Sequence, residues 1–125
     1  EATIVFSYPY SFSGIIDSFL MQQPSRYFLE TLSASSFLRT SFPQFEQVRR
    51  KWPSIAEVVY KMLSSTVSGI LERQIELMVY TAEEKFRVLL KRSPHILNLV
   101  PHKYLASYLG IDPTTFSKLL STVRI

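Results

Sequence analysis

The sequence predicts an α+β protein in which short strands come first and helices follow. The first forty residues are rich in β-branched and aromatic side chains, which favour strands. An apolar helical pattern then runs without proline for about 25 residues, and two short helices joined by a glycine follow near the end. These observations divide the chain into residues 1–53, 54–80 and 81–125.

The composition excludes several classes of protein. Apolar residues make up 46% of the chain and charged residues 19%, which is typical of a folded domain rather than a disordered segment. No apolar run reaches the roughly 18 residues that span a bilayer, so we expect no membrane partner. The chain contains no cysteine, which excludes disulfides, thiolate zinc sites and iron–sulfur clusters within it. This composition fits a reducing compartment, and we expect a cytoplasmic protein.

The positive charge is concentrated in the last third of the chain. Residues 82–125 contain seven basic and three acidic residues, which accounts for the whole net charge of +4. Residues 1–81 contain seven of each kind and are balanced. Such an asymmetry favours a polyanionic partner for the C-terminal part of the chain.

Three short strands are predicted at residues 2–8, 25–32 and 36–40, with a short helix at residues 14–21. Pro24 ends that helix region, because the residue before a proline avoids the helical conformation. Three strands are too few to close a barrel or a sandwich. We therefore expect a β-rich portion to precede this chain and to pair with these strands.

Residues 54–80 are predicted to form one long helix. Ser54 and Glu57 have the S-x-x-E spacing of a capping box, and Thr81 and Glu84 repeat it at the next helix. Apolar residues recur along the long helix at alternating spacings of four and three, the pattern of a coiled-coil seam. We expect the seam to pair with a second copy of the chain, although a core helix of a monomer has the same pattern. The predicted interface residues are Tyr60, Leu63, Val67, Ile70 and Leu77.

The segment from residue 101 to residue 120 predicts a helix-turn-helix. Gly110 can take the left-handed conformation that ends a helix. Asp112 is a good N-cap and Pro113 a good first residue for the helix that follows. The small side chain of Ala106 lets the two helices cross closely. An ordinary helical hairpin is the alternative.

Several short motifs in the chain are similar to those of one protein family. In the C-terminal part they are TAEEKF at 81–86, LL at 89–90, VP at 100–101 and ASYLGI at 106–111. Upstream they are SFL at 18–20, PSR at 24–26 and Glu30. On these residues the chain resembles Crp/Fnr-type transcriptional regulators, the catabolite activator superfamily, and among them the Bacteroidetes-type members.

The resemblance implies the end of a cyclic-nucleotide-binding-like β-roll at 1–53, a dimerisation helix at 54–80 and a winged-helix-type DNA-binding domain at 81–125. It implies a homodimeric, non-enzymatic transcription regulator that binds double-stranded DNA, with RNA polymerase as a further partner. The positions that match the family's base-reading face are Pro113, Thr114, Ser117 and Lys118. The candidates for phosphate contacts are His102, Lys103, Ser107, Thr115, Ser121 and Arg124, of which Lys103 and Arg124 carry a positive charge.

The resemblance also places a small-molecule effector site in the roll, at Gly14, Asp17, Ser25 and Arg26. An arginine there would bind a phosphate through two hydrogen bonds. The match is incomplete, because Gly14 is not followed by the glutamate of nucleotide-binding members and Tyr27 stands where they have a small residue. A cyclic nucleotide is therefore disfavoured, and the identity of the effector stays open.

A second class of function also stays open, an effector-sensing or protein-interaction module that does not bind DNA. The sequence contains no nucleophile elbow, dinucleotide-binding motif or phosphate-binding loop, so no enzyme is expected. No carboxylate completes a metal site with His95 and His102, so no metal or other cofactor is expected.

Overall fold

The computed structural model describes residues 2–123, and in this range it contains seven helices and no strand. The predicted α+β fold with a β-roll is therefore wrong, because helices are the only regular secondary structure of the described residues. The helices are α1 (Ile16–Met21), α2 (Phe42–Lys51), α3 (Pro53–Val79), α4 (Ala82–Arg92), α5 (Ile96–Leu99), α6 (His102–Leu109) and α7 (Pro113–Thr122).

The three predicted strands are irregular segments. Within residues 2–123, no backbone hydrogen bond joins any of the segments 2–8, 25–32 and 36–40 to another. Phe28 and Leu38, which a sheet would have buried, are fully exposed. Strands are stable only when a neighbouring strand pairs with their N–H and C=O groups, and high β-propensity does not replace that partner.

The chain divides into two compact units, of which one is Ser7–Thr66. In this unit α1 packs on α2 through a small aromatic cluster, in which the ring centroid of Phe19 lies 5.6 Å from that of Phe42 and 5.5 Å from that of Phe45. None of the described side chains in this unit is fully buried. A capping box starts α2, because Ser41 and Gln44 each accept a hydrogen bond from the other's backbone N–H.

Helix α3 belongs to both units, and its first residue is Pro53. Proline is favoured at this position because its missing N–H would be unpaired there anyway. Ser54 is consequently inside the helix, and the predicted capping box of Ser54 and Glu57 is wrong. Glu57 instead forms a surface ion pair with Lys61, with 2.8 Å between the carboxylate and the ammonium.

The second unit comprises the described residues up to Phe6 and those from Val67 onward. Its core lies between α4, α5, α6 and α7. The capping box predicted at the start of α4 is confirmed, because Glu84 accepts from the N–H of Thr81 at 2.8 Å and Thr81 accepts from the N–H of Glu84 at 3.3 Å. The buried apolar residues are Phe86, Leu89, Leu90, Ile96, Val100, Leu105, Ala106, Leu109, Phe116, Leu119 and Val123.

The start of the chain packs against α6 rather than in a sheet. The N–H of Thr3 donates a hydrogen bond of 2.9 Å to the hydroxyl of Ser107. The rings of Phe6 and Tyr108 are tilted by 48°, with 5.2 Å between their centroids. The apolar residues at the start of the chain thus contribute to the C-terminal unit.

Among the helices of residues 2–123, none combines the length and the apolar character that crossing a membrane requires.

Candidate nucleic-acid interface

Helices α6 and α7 are joined by a tight turn at Gly110. Gly110 has φ 63° and ψ 37°, the left-handed conformation that glycine adopts without a steric penalty. Its N–H donates to the carbonyl of Ser107 and the N–H of Ile111 donates to that of Ala106, both at 3.1 Å. These bonds satisfy carbonyls at the end of α6 that have no partner within the helix. The predicted glycine turn is confirmed.

Asp112 starts α7 in the predicted way. Its carboxylate accepts a hydrogen bond of 2.9 Å from the N–H of Thr115, and Pro113 occupies the first turn. The side-chain hydroxyl of Thr115, followed by its backbone N–H, lowers the pKa of Asp112 below the usual value. The N-terminus of α7 therefore carries its own negative charge, which neutralises part of the positive end of the helix dipole.

Beneath α7, aromatic side chains attach the helix to the core. Phe116 is fully buried and meets Phe86 of α4 edge to face, with 5.5 Å between ring centroids and 81° between ring planes. The imidazole of His102, at the start of α6, lies 5.4 Å from the ring of Phe116. Ala106 of α6 is buried in the same core.

The opposite face of α7 is exposed and polar. Thr114, Ser117, Lys118 and Ser121 are all exposed, and their spacing places them on one side of the helix. The hydroxyls of Ser117 and Ser121 donate to the carbonyls of Pro113 at 3.0 Å and Lys118 at 2.8 Å, which leaves their oxygen lone pairs free as acceptors. This outer face is chemically suited to contact a hydrogen-bonding ligand.

Lys118 has no carboxylate within ion-pairing distance among residues 2–123. The same is true of Lys103, whose ammonium lies 4.5 Å from the centroid of the neighbouring Tyr104 ring. By contrast, Arg87 and Arg92 are paired with glutamates. Lys103 and Lys118 of the helix-turn-helix are therefore available to an external anion, as are Lys85 and Lys91 of α4, which also form no ion pair among residues 2–123. Arg124, the other positively charged candidate for a phosphate contact, lies outside the described residues.

The predicted effector residues are all exposed. Gly14 and Asp17 lie just before and within α1, whereas Ser25 and Arg26 lie in the irregular segment after it. The hydroxyl of Ser25 bonds locally to the backbone of Tyr27, and Asp17 forms no ion pair with Arg26. The β-roll on which this prediction depended is absent from the described chain, so we do not assign a ligand site to these residues.

The predicted interface residues lie on α3. Tyr60, Val67 and Ile70 are exposed and Leu63 is half-buried. Leu77 differs from the others because it faces the helix-turn-helix, where its Cδ2 lies 3.5 Å from the position that a β-carbon on Gly110 would occupy. One predicted member of the seam is therefore also in contact with the turn.

An ion-pair cluster that was not predicted from the sequence links α3 to α4, and it consists of Arg73, Glu76 and Arg92. The spacing of three between Arg73 and Glu76 is a visible signal for an ion pair on a helix. No sequence signal connects either residue with Arg92, because that contact depends on how the two helices pack.

No protein-family model, curated protein or solved structure matches the chain.

Proposed function

We propose that this protein is a DNA-binding transcription regulator that acts as a homodimer and inserts α7 into the major groove. The observation that carries the proposal is the two-sided character of α7. Its inner face is anchored by Phe116 and Leu119, while Thr114, Ser117 and Lys118 are exposed together on the outer face. The motifs that resemble Crp/Fnr regulators in the C-terminal part support the same function.

In this proposal, base edges are read by the first half of α7, as in other helix-turn-helix proteins. The unpaired ammonium of Lys118 donates to the O6 and N7 acceptors of guanine, and the hydroxyls of Thr114 and Ser117 donate or accept as the base requires. Lys103, on the exposed side of α6, neutralises a backbone phosphate. Phosphate contacts position the protein, and the contacts of α7 supply the sequence preference.

The second half of α3 supports pairing of two copies. Its outward side carries apolar residues that are more than half exposed and recur at spacings of three and four. An exposed apolar face of this length is unusual for a soluble monomer and typical of an interface. This proposed seam keeps Val67 and Ile70 of the predicted interface and replaces its other three residues with Leu71, Ile75 and Met78. A second copy that covers it would place two recognition helices about 34 Å apart, one turn of the duplex.

Titration of a fluorescent duplex with the full chain tests the proposal. We expect binding at about 50 mM salt that weakens by about tenfold or more at 200 mM, because each neutralised phosphate releases a counterion. Lys118→Ala should weaken binding by about tenfold or more, since a good base contact is worth about 1–3 kcal/mol. Lys61→Ala, which removes the same charge far from α7 along the chain, is the matched control. Absence of binding at low salt, or equal effects of the two variants, would rule the proposal out.

A protein-interaction module without DNA binding is the second candidate. The segment between α1 and α2 favours it, because exposed apolar side chains that are grouped rather than scattered mark interaction surfaces. The exposed apolar residues of this segment include Tyr27, Phe28, Leu29, Phe37 and Leu38. It becomes the better account if the wild-type chain does not bind duplex DNA in the titration.

A further inference from the structure

A buried carboxylate lies where α3 packs against the C-terminal helices. Glu76 is 5% exposed and is the one charged residue that is buried among residues 2–123. Its Oε2 lies 3.3 Å from Nη1 of Arg73, and its Oε1 lies 2.5 Å from Nη2 of Arg92 at the end of α4. Because an unpaired carboxylate is very unfavourable away from water, the burial of Glu76 favours keeping both guanidinium groups beside it.

Arg73 also reaches the last turn of α6. Its Nη2 donates a hydrogen bond to the carbonyl of Tyr108, and its guanidinium lies 4.1 Å from the centroid of the Tyr108 ring. Carbonyls in the last turn of a helix lack a partner within that helix, so Arg73 supplies a missing donor. The planar guanidinium stacks and donates in a fixed geometry, which a lysine ammonium does not do.

The same part of α3 lies against the turn. The Cδ2 of Leu77 lies 3.5 Å from the position that a β-carbon on Gly110 would occupy, which is ordinary van der Waals distance. Three side chains within five residues of α3 thus contact α4, α6 and the turn between α6 and α7. Rotation of the helix-turn-helix relative to α3 would break all of these contacts together.

We propose that Arg73 and Glu76 are positioning residues that set the angle at which the helix-turn-helix projects from α3. Buried ion pairs often contribute little net stability, and in some proteins they select one conformation among several, which is the role inferred here. The consequence for DNA rests on the proposed function. In a dimer paired along α3, this angle determines the distance between the two recognition helices and therefore the preferred spacing of two half-sites.

The angle can be measured without DNA. The chain has no cysteine, so Ser68→Cys on α3 and Ser121→Cys on α7 provide two unique sites for spin labels on the full chain. Mixing with an excess of unlabelled chain removes distances between copies. We expect one narrow distance distribution in the parent protein and a distribution at least twice as wide in Glu76→Gln. Glu72→Gln is the matched control, because Glu72 is exposed and lies 3.7 Å from Arg92, and it should leave the distribution narrow.

A second variant covers the case in which Glu76→Gln does not fold. Arg73→Lys keeps the charge beside Glu76 but loses the planar stack on Tyr108 and should also widen the distribution at least twofold. Unchanged distance distributions in the variants that fold would overturn the inference. Failure of both variants to fold would also overturn it, because the cluster would then stabilise the unit rather than orient the helix-turn-helix.

Binding measurements then separate positioning from a general structural role. Duplexes selected from a random pool by the parent protein are compared as single half-sites and as pairs whose spacing is changed in steps of one base pair. The affinity of Arg73→Lys for single half-sites should be within about twofold of the parent's. On paired half-sites, its affinity should fall at least tenfold, or its preferred spacing should change. Equal losses on single and paired sites would contradict a positioning role. If the parent selects no DNA, the proposed function fails, while the label distances still decide whether Arg73 and Glu76 set the angle.

Discussion

Phe116 meets Phe86 edge to face, so the helix that presents Ser117 and Lys118 to solvent is anchored to α4 by the residue immediately before them in sequence. Edge-to-face aromatic pairs add about 0.5–1.5 kcal/mol to the burial of the rings. Because both rings are fully buried, the position of the outer face of α7 depends directly on this contact.

The first prediction follows from that pair. Phe116→Ala should lower the free energy of unfolding by about 3–5 kcal/mol, because it removes a buried ring and leaves a cavity. Urea denaturation followed by circular dichroism measures the change. Ser117→Ala, the next residue and an exposed one, should alter stability by less than about 0.5 kcal/mol. A loss below about 1 kcal/mol for Phe116→Ala would show that α7 is not packed as described.

Replacing each of two glycines with alanine should change the stability of the protein in opposite directions. Gly110→Ala should destabilise the protein by about 1–2 kcal/mol, because a β-carbon in the left-handed conformation is strained even though its contact with Leu77 is ordinary. Gly69→Ala, in the middle of α3 with open space around it, should stabilise the helix by about 1 kcal/mol. Thermal melts of both variants provide the comparison. Destabilisation by Gly69→Ala would instead indicate that a partner backbone approaches α3 there.

Acid should weaken the start of α7. Hydrogen bonds from Thr115 lower the pKa of Asp112 in the folded chain below the unfolded value of about 3.9. The carboxylate therefore stabilises the folded chain at pH values above the unfolded pKa. This contribution is lost as the pH falls through the lower pKa of the folded chain. Asp112→Asn, which still caps the helix but does not titrate there, should lose less stability than the wild type below about pH 4. Asp112→Ala should be less stable than both at neutral pH, and parallel pH profiles of wild type and Asp112→Asn would count against this account.

The seam on α3 predicts how self-association can be broken. Leu71→Glu places a charge at the centre of the exposed apolar face and should convert a dimer to a monomer in sedimentation equilibrium. Ser65→Glu introduces the same side chain on the other side of α3 and should leave the mass unchanged. A wild-type chain that sediments as a monomer at micromolar concentration would contradict the proposed dimer.

Lys103 and Lys118 should affect DNA binding in different ways. Lys103→Ala should weaken binding to all duplexes by a similar factor and reduce the dependence of log K on log salt by about one, as expected for one lost phosphate contact. Lys118→Ala should instead reduce the preference among duplex sequences, because its partner is a base edge. Titrations at several salt concentrations against selected and unselected duplexes distinguish the two results. If both variants lose affinity uniformly, α7 contacts only the backbone.

The helical part of the structure could be predicted from the sequence, and particular residues show why. Helix starts and stops depend on hydrogen bonds between residues that are close in sequence, so they can be recognised locally. The residues that specify them here are Thr81, Glu84, Gly110, Asp112 and Pro113. The apolar positions of α7 repeat at helical spacing, which indicated that Phe116 would face inward and Thr114, Ser117 and Lys118 outward.

The strands could not be predicted in the same way. Residues 25–32 have a suitable composition, but a strand requires a partner that lies elsewhere in the chain, and composition does not reveal whether that partner is present. The Ser54–Glu57 box failed for a related reason, since Pro53 also favours a helix start and the two signals compete for one end.

The sequence by itself determined the helices of the C-terminal unit, the caps that bound α4 and α7, and the glycine turn that joins α6 to α7, because each depends on contacts between near neighbours along the chain. Only the tertiary structure decided that no sheet forms among residues 2–123, that Glu76 is buried between Arg73 and Arg92, and that Leu77 faces the turn while Leu71 faces outward. These features arise from residues far apart in sequence, and their energies depend on packing that periodicity does not specify.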